Sequence, residues 1–288
     1  MFFAFAKKSR TFICKIQMPK IQLNKAGKDG LMDVIPLLWK QRELMFGLAR
    51  RDIQVKYKQT FLGLVWMFLN PLLMALIFTF FFSQIIHFTQ VKHSTIYVLS
   101  GYLGWYIFAN TFQQCASVLK DSESIIEKIH IHRIVLVFSR CFSVSIEHFV
   151  FVLLVFLFGI FSGQINLTNL WLLPFAYLFS SLTALGFVCF VAGISIFRKD
   201  FLQIVPHFIQ IAIWMTPVFY AKEMLPQSFL WLLNLNPFVG FIEFWRYALY
   251  AEPLNWTSVL LHMSALFLFS LLSFRYFVKR ERLYLEQL

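Results

Sequence analysis

The sequence predicts an all-α polytopic membrane protein: six transmembrane helices, an N-terminal amphipathic interface helix, and an external re-entrant helical hairpin between spans five and six. Three observations predict it. Of the 288 residues, 59% are hydrophobic and 14% charged, whereas a water-soluble domain carries about 45–50% apolar and about 25% charged residues. The charges are confined, leaving long windows that carry none, and the mean hydropathy is +0.68. When those windows are threaded across a bilayer, 23 of the 26 Lys and Arg residues fall on one side. A soluble fold of this composition would lack the polar surface to cover itself. Disorder is excluded by the same numbers, and four cysteines in such a length exclude a disulfide scaffold.

Residues 1–34 form a basic, polar extension, read as cytoplasmic. With no apolar run of seven residues and no small-residue cleavage site, they do not read as a secretory signal peptide. An amphipathic helix is expected over 35–60, with Pro36 in its first turn. At about 100° per residue, Lys40, Glu43, Arg50, Arg51 and Lys58 share one side. Leu37, Leu38, Leu44, Met45, Leu48, Ala49, Ile53 and Val55 share the other, with Arg42, Asp52 and Lys56 as exceptions on that apolar side. Such a helix lies along the membrane interface. Periodicity alone fits a juxtamembrane anchor as well as a helix that docks a partner.

The transmembrane domain is expected over 61–278. A helix crossing the bilayer needs about 20 apolar residues, and the charge-free windows 59–91 and 93–119 supply the first two spans. From 141 to 197 the one charge is Glu147, and the polar run 162–169 supplies a turn between two further spans. Residues 201–221 and 253–274 give the fifth and sixth. Between them, 224–250 is apolar, but Pro226, Asn234, Asn236, Pro237 and Gly240 divide it into two pieces, each too short to cross. With six spans the basic tail, 279–288, joins the basic N-terminus. The excess of Lys and Arg then puts both termini in the cytoplasm.

Two further elements are singled out. The loop 120–133 is short, charged and potentially helical, with Asp121 or Ser122 placed to cap a turn that holds Glu123. A solvated connector is the simpler reading of it; a helix docking into a cytoplasmic partner is the sharper one. Aromatic residues crowd the second span at Tyr102, Trp105, Tyr106, Phe108 and Phe112. Trp and Tyr favour membrane interfaces, and a file of rings along a conduit also suits the apolar C–H faces of sugar rings. Glu147 is the one carboxylate inside a span. Lying seven residues from Arg140, it reads as snorkelling or paired near the interface rather than as a proton relay.

Much chemistry is absent from the sequence. There is no GxxxxGK[ST], no HExxH and no GxSxG. His130 and His132 lack an acidic third ligand at metal-site spacing, and the cysteines show no CxxC. Asn166-Leu167-Thr168 and Asn255-Trp256-Thr257 match glycosylation acceptors, as short sequences often do by chance. No catalytic or metal-binding residue is assigned. The net charge of +12 points to anionic headgroups and topology before nucleic acid, because the basic residues flank apolar runs.

One stretch runs Arg50-Arg51-Asp52-Ile53-Gln54-Val55-Lys56-Tyr57-Lys58-Gln59-Thr60, followed by Gly63-Leu64-Val65-Trp66 and, five residues on, Pro71. After it come Ile131-His132-Arg133, then Phe197-Arg198-Lys199-Asp200, Thr216-Pro217-Val218-Phe219-Tyr220 and Asn236-Pro237. In this order, over about residues 37–285, the chain resembles the membrane subunit of ABC exporters for polysaccharides and polyol phosphates, such as O-antigen, capsule or teichoic acid. It departs from that family at Ile131-His132-Arg133, where Phe-Pro-Arg is common. The resemblance implies a homodimer in the bacterial inner membrane with two copies of a separate ATP-binding subunit, which would hold ATP and magnesium. No cofactor is implied in this chain, and no nucleic acid as partner. Its cargo would be a lipid-linked polysaccharide entering from the cytoplasmic side. Arg50, Arg51, Glu123, Glu127 and Arg133 are then candidates for coupling to the ATP-binding subunit, and Tyr102, Trp105, Tyr106 and Phe108 for lining the conduit. A drug or small-lipid exporter would share every topological signal. A membrane-embedded glycolipid transferase is the enzyme alternative, for which only Asp121, Glu123 and Glu127 approach the expected acidic cluster.

Overall fold

The computed structural model describes residues 31–58, 60–81, 94–126, 131–198 and 200–285, and every regular element among them is a helix. Helices α1 (Leu31–Lys40) and α2 (Arg42–Lys58) adjoin at Gln41, whose N–H donates to the Leu37 carbonyl and whose carbonyl accepts from Met45. The interface helix therefore begins earlier than expected, with Pro36 inside α1 rather than in its first turn. A single backbone bond is forgone there. Helix α3 (Trp66–Phe80) is preceded by a 3-10 turn, Gly63–Val65. Gly63 adopts a φ of +55°, a left-handed conformation that any other side chain would strain. The remainder of the expected first span, from residue 82, lies outside the described residues.

Helix α4 (Ser94–Cys115) comes next, and the short helices α5 (Val118–Asp121) and α6 (Glu123–Ile126) follow it. The expected loop helix is thus two single turns meeting at Ser122, whose carbonyl accepts from the N–H groups of Ile125 and Ile126. Next come α7 (Arg133–Phe161), a 3-10 turn (Leu167–Leu172) and α8 (Leu173–Ser195). The turn between them falls where the polar run predicts it. Asn166 Oδ1 accepts the Thr168 N–H there at 2.9 Å, and Asn255 Oδ1 accepts those of Thr257 and Ser258 at 3.1 and 3.3 Å. Both Asn-x-Thr sequences thereby act as helix caps.

Helix α9 (Phe201–Met215) ends before the expected limit of 221. Pro217 disfavours helical geometry at the residue before it, and Thr216 is extended (φ −104°, ψ 136°). The 224–250 region contains α10 (Leu230–Leu235) and α11 (Phe238–Tyr250), broken at Asn236-Pro237 as the sequence predicts and each too short to span a bilayer. The last helix, α12 (Trp256–Leu285), runs well past the expected 274, so most of the predicted tail continues the helix. By length and composition α7, α8 with the 3-10 turn before it, and α12 suit a membrane crossing. Gly63–Met74 and α9 are apolar but shorter.

Helix α4 is the centre of the packing, against α3, α7, α8, α9 and α11, and α12 lies along α8. Close approach sets these contacts. A Cβ on Gly104 would stand 2.5 Å from Trp245 Cδ1, so only glycine admits that indole. The Trp245 N–H is satisfied by Ser180 Oγ at 2.9 Å. Next to it the buried Arg246 donates to the Pro217 and Val218 carbonyls at 2.6 and 3.1 Å, with its guanidinium 3.5 Å from the Tyr97 ring centroid. Asn236 accepts the Phe238 N–H and donates to Met215 O and Thr216 Oγ1, each at 3.0 Å. The Thr216-Pro217 and Asn236-Pro237 sequences are therefore parts of one joint between α9 and the hairpin.

Candidate functional site

Helix α2 lies against α7 in the same direction, and the polar residues between them form two clusters. Two of the three charged exceptions on the apolar side of α2, Asp52 and Lys56, explain most of the arrangement. Asp52 Oδ1 accepts from Arg51 Nη2 at 2.8 Å, and its Oδ2 lies 3.0 Å from Arg140 Nε on α7. The second contact is an ion pair without hydrogen-bond alignment. Arg140 Nη2 lies 3.5 Å from Asp121 Oδ2 at the end of α5, and Ser117 Oγ donates to that same oxygen at 3.0 Å. One guanidinium thus bridges the interface helix and the loop after α4.

Two turns further along, Lys56 Nζ meets Glu147 Oε1 at 2.5 Å, and the Tyr57 hydroxyl donates to that oxygen at 2.9 Å. From α4, Gln114 Nε2 approaches Glu147 Oε2 at 3.3 Å and donates to Asn110 Oδ1 at 2.6 Å, while its own Oε1 accepts from Lys56 at 2.9 Å. Asn110 Nδ2 stands 3.5 Å from Glu147 Oε2 and 3.3 Å from His148 Nε2. Burial, and the Glu147 carboxylate after it, push the Tyr57 hydroxyl well above the ordinary tyrosine range, which keeps it a donor. A carboxylate otherwise costly in an apolar setting is here compensated by a cation and neutral donors. Glu147 is paired, in line with the reading from its place near Arg140.

The candidate coupling residues are not brought together. Arg50 is exposed on α2; Arg51 is engaged with Asp52; Glu123 is exposed at the start of α6. Glu127 lies outside the described residues. Arg133 is buried, and its backbone N–H donates to Glu281 of α12, so the first turn of α7 is capped from the last helix. No open face presents Arg133 among the described residues.

The aromatic candidates divide between two faces of α4. Trp105 and Phe108, 1% and 0% exposed, face the interior of the chain, where both meet Phe238, and Phe108 also meets Phe187. Tyr102 and Tyr106 are half-buried on the other face and pack on Phe151 of α7, with Tyr102 also stacked on Phe219. Spacing separates the sets: 102, 106, 110 and 114 follow steps of four along one stripe. Aromatic density alone does not divide these faces, whereas the Asn and Gln on the first stripe do. Asp52, Lys56, Tyr57, Asn110, Gln114, Arg140 and Glu281 are the residues that reasoning from single motifs missed. Their signal was charge or amide placed on a face that should be apolar.

The profile of the ABC-2 type transporter family matches residues 43–250. An O-antigen export system permease protein, RfbA, from Klebsiella pneumoniae is 28% identical over 252 residues, covering 81% of this chain and 93% of that protein. A second Klebsiella pneumoniae protein of the same description matches with the same identity and coverage. An O-antigen export system permease protein from Myxococcus xanthus is 26% identical over 226 residues, 75% of this chain and 86% of its own length.

Proposed function

The chain belongs to the ABC-2 type transporter family, and on that premise we propose that it is the membrane subunit of an ATP-driven exporter. It is a transporter permease rather than an enzyme. Its cargo is a lipid-linked polysaccharide, O-antigen-like or related to capsule or teichoic acid, taken from the cytoplasmic side of a bacterial inner membrane. The cargo class is supported by the likeness to three O-antigen export permeases over most of the chain. The working assembly is a homodimer of six-span subunits with both termini cytoplasmic, carrying two ATP-binding subunits that hold ATP and magnesium.

A single observation carries the proposed mechanism. Arg140 on α7 engages both Asp52 of the interface helix and Asp121 of the loop after α4. An ATP-binding subunit pressing on either element would move α7 with it. Two turns along, the Lys56–Glu147 pair repeats the connection deeper in α7 and extends it to α4 through Gln114. Arg51, Glu123 and Glu127 are the residues we propose for docking the ATP-binding subunit, while Arg133 holds α7 in place. Tyr102 and Tyr106 are the conduit residues, and Trp105 and Phe108 brace the helix that carries them.

The test is reconstitution of the chain with its ATP-binding subunit in proteoliposomes containing a fluorescent lipid-linked glycan. The reading expects glycan translocation that requires ATP and both subunits. Translocation of a small drug or lipid, with the glycan ignored, would replace the cargo. Failure of any ATP-binding subunit to co-purify in mild detergent would overturn the exporter.

A further inference from the structure

We propose that the chain carries a binding site for an anionic phospholipid of the bilayer, in the cleft at the junction of α2, the turn before α3, and α7. The cleft has a volume of about 670 Å³, within the range of about 300–1,000 Å³ typical of small-molecule sites. One wall is apolar, formed by Phe61, Leu62 and Leu64 of the connecting turn and by Phe142 and Ile146 of α7. Arg50 and Lys58 of α2 stand on the other, and among the described residues no Asp or Glu lines the cleft.

Electrostatics identifies the occupant. Most charges around the cleft are consumed by partners: Arg51 and Arg140 by Asp52, Lys56 by Glu147. Arg50 and Lys58 make no ion pair among the described residues, yet both face the same space. Two uncompensated cations above an apolar wall match a ligand that is anionic at one end and hydrocarbon at the other. A free phosphate would leave the apolar wall wet. A second copy meeting its twin across this cleft would set the same cations against each other. Phe61 is fully exposed and Leu64 and Phe142 partly so, an apolar opening that a bilayer would cover with lipid. The phospholipid phosphate sits between Arg50 and Lys58, and an acyl chain runs past Phe61 and Leu64 toward Ile146. Such a lipid fixes the end of α2 to the start of α3.

This inference needs only a membrane-embedded chain, and its readout involves neither ATP nor transport, so it fails or stands apart from the exporter reading. The experiment is native mass spectrometry of the full chain released from micelles doped with equal phosphatidylglycerol and phosphatidylcholine. Wild type should retain phosphatidylglycerol preferentially. Each cation near an anionic headgroup is worth about five-fold in affinity, so Arg50→Gln with Lys58→Gln should reduce retention about 25-fold, while Arg198→Gln, exposed elsewhere, should leave it unchanged. Equal retention of both lipids, or an equal loss with Arg198→Gln, overturns the site. A second measurement needs no variant: phosphatidylglycerol with a photoactivatable acyl chain should label peptides spanning Phe61–Leu64 and Phe142–Ile146. Labelling confined to other helices, or a protein–protein cross-link through the cleft in place of lipid, also overturns it.

Discussion

Glu147 illustrates how a buried charge is made tolerable residue by residue. Its carboxylate takes Lys56, Tyr57 and Gln114 from two other helices, so removing it leaves several donors unpaired at once. Loss of one buried partner costs about 1–3 kcal/mol, more for charged groups. Glu147→Ala should therefore lower the melting temperature in detergent clearly, and Glu147→Gln, which keeps the shape and an acceptor, should lower it less. Equal melting for wild type and Glu147→Ala would mean the cluster is solvated. Tyr57→Phe removes one donor and leaves the ion pair, so its expected effect is the smallest of the three. The same residues show what a sequence makes readable. Asp52 and Lys56 stood out as charges on an apolar face, four apart, Arg140 as the charge bounding an apolar run and Glu147 as the one charge within it. That they would meet depends on α2 and α7 running side by side in the same direction, and no local pattern states which helices are neighbours.

At the scale of elements, the break in the apolar run 224–250 was the most legible part of the fold. Pro237 and Asn236 punctuate an apolar run, and the break falls there; Asn236 holds it by bonding across to Met215 and Thr216. Ends of helices were less legible. Helix α9 is shorter than its apolar window because Pro217 sets its stop, and α12 is longer because charged residues extend a helix as readily as apolar ones. The aromatic face of α4 shows the same limit. Sequence density offered four conduit candidates together, while helical geometry turns Trp105 and Phe108 inward and leaves Tyr102 and Tyr106 half-open. Close packing of α4 on α11 makes a firm prediction. Gly104→Val puts side-chain atoms into Trp245, and overpacking costs about 1–3 kcal/mol. The variant should melt earlier and expose Trp245 to a fluorescence quencher. If it melts with wild type, α11 is free to shift and does not brace α4.

For the whole molecule, the membrane domain, the absence of a nucleotide-binding loop and the family were legible because composition, charge asymmetry and ordered short motifs are properties of the chain itself. The connection between its surface and its interior was not, because it rests on Arg140 reaching two elements from a third. That connection is the central claim, and the most direct test is the amount of glycan moved per ATP hydrolysed in reconstituted complexes. Wild type should move glycan in proportion to hydrolysis. Asp52→Arg and Arg140→Asp should each hydrolyse ATP while moving about ten-fold less glycan, an effect equivalent to about 1.4 kcal/mol of lost coupling. The double exchange should recover part of that ratio, limited by the lost Asp121 contact. Wild-type ratios in both single variants, or no recovery in the double, would contradict a drive that passes through α2 and α7.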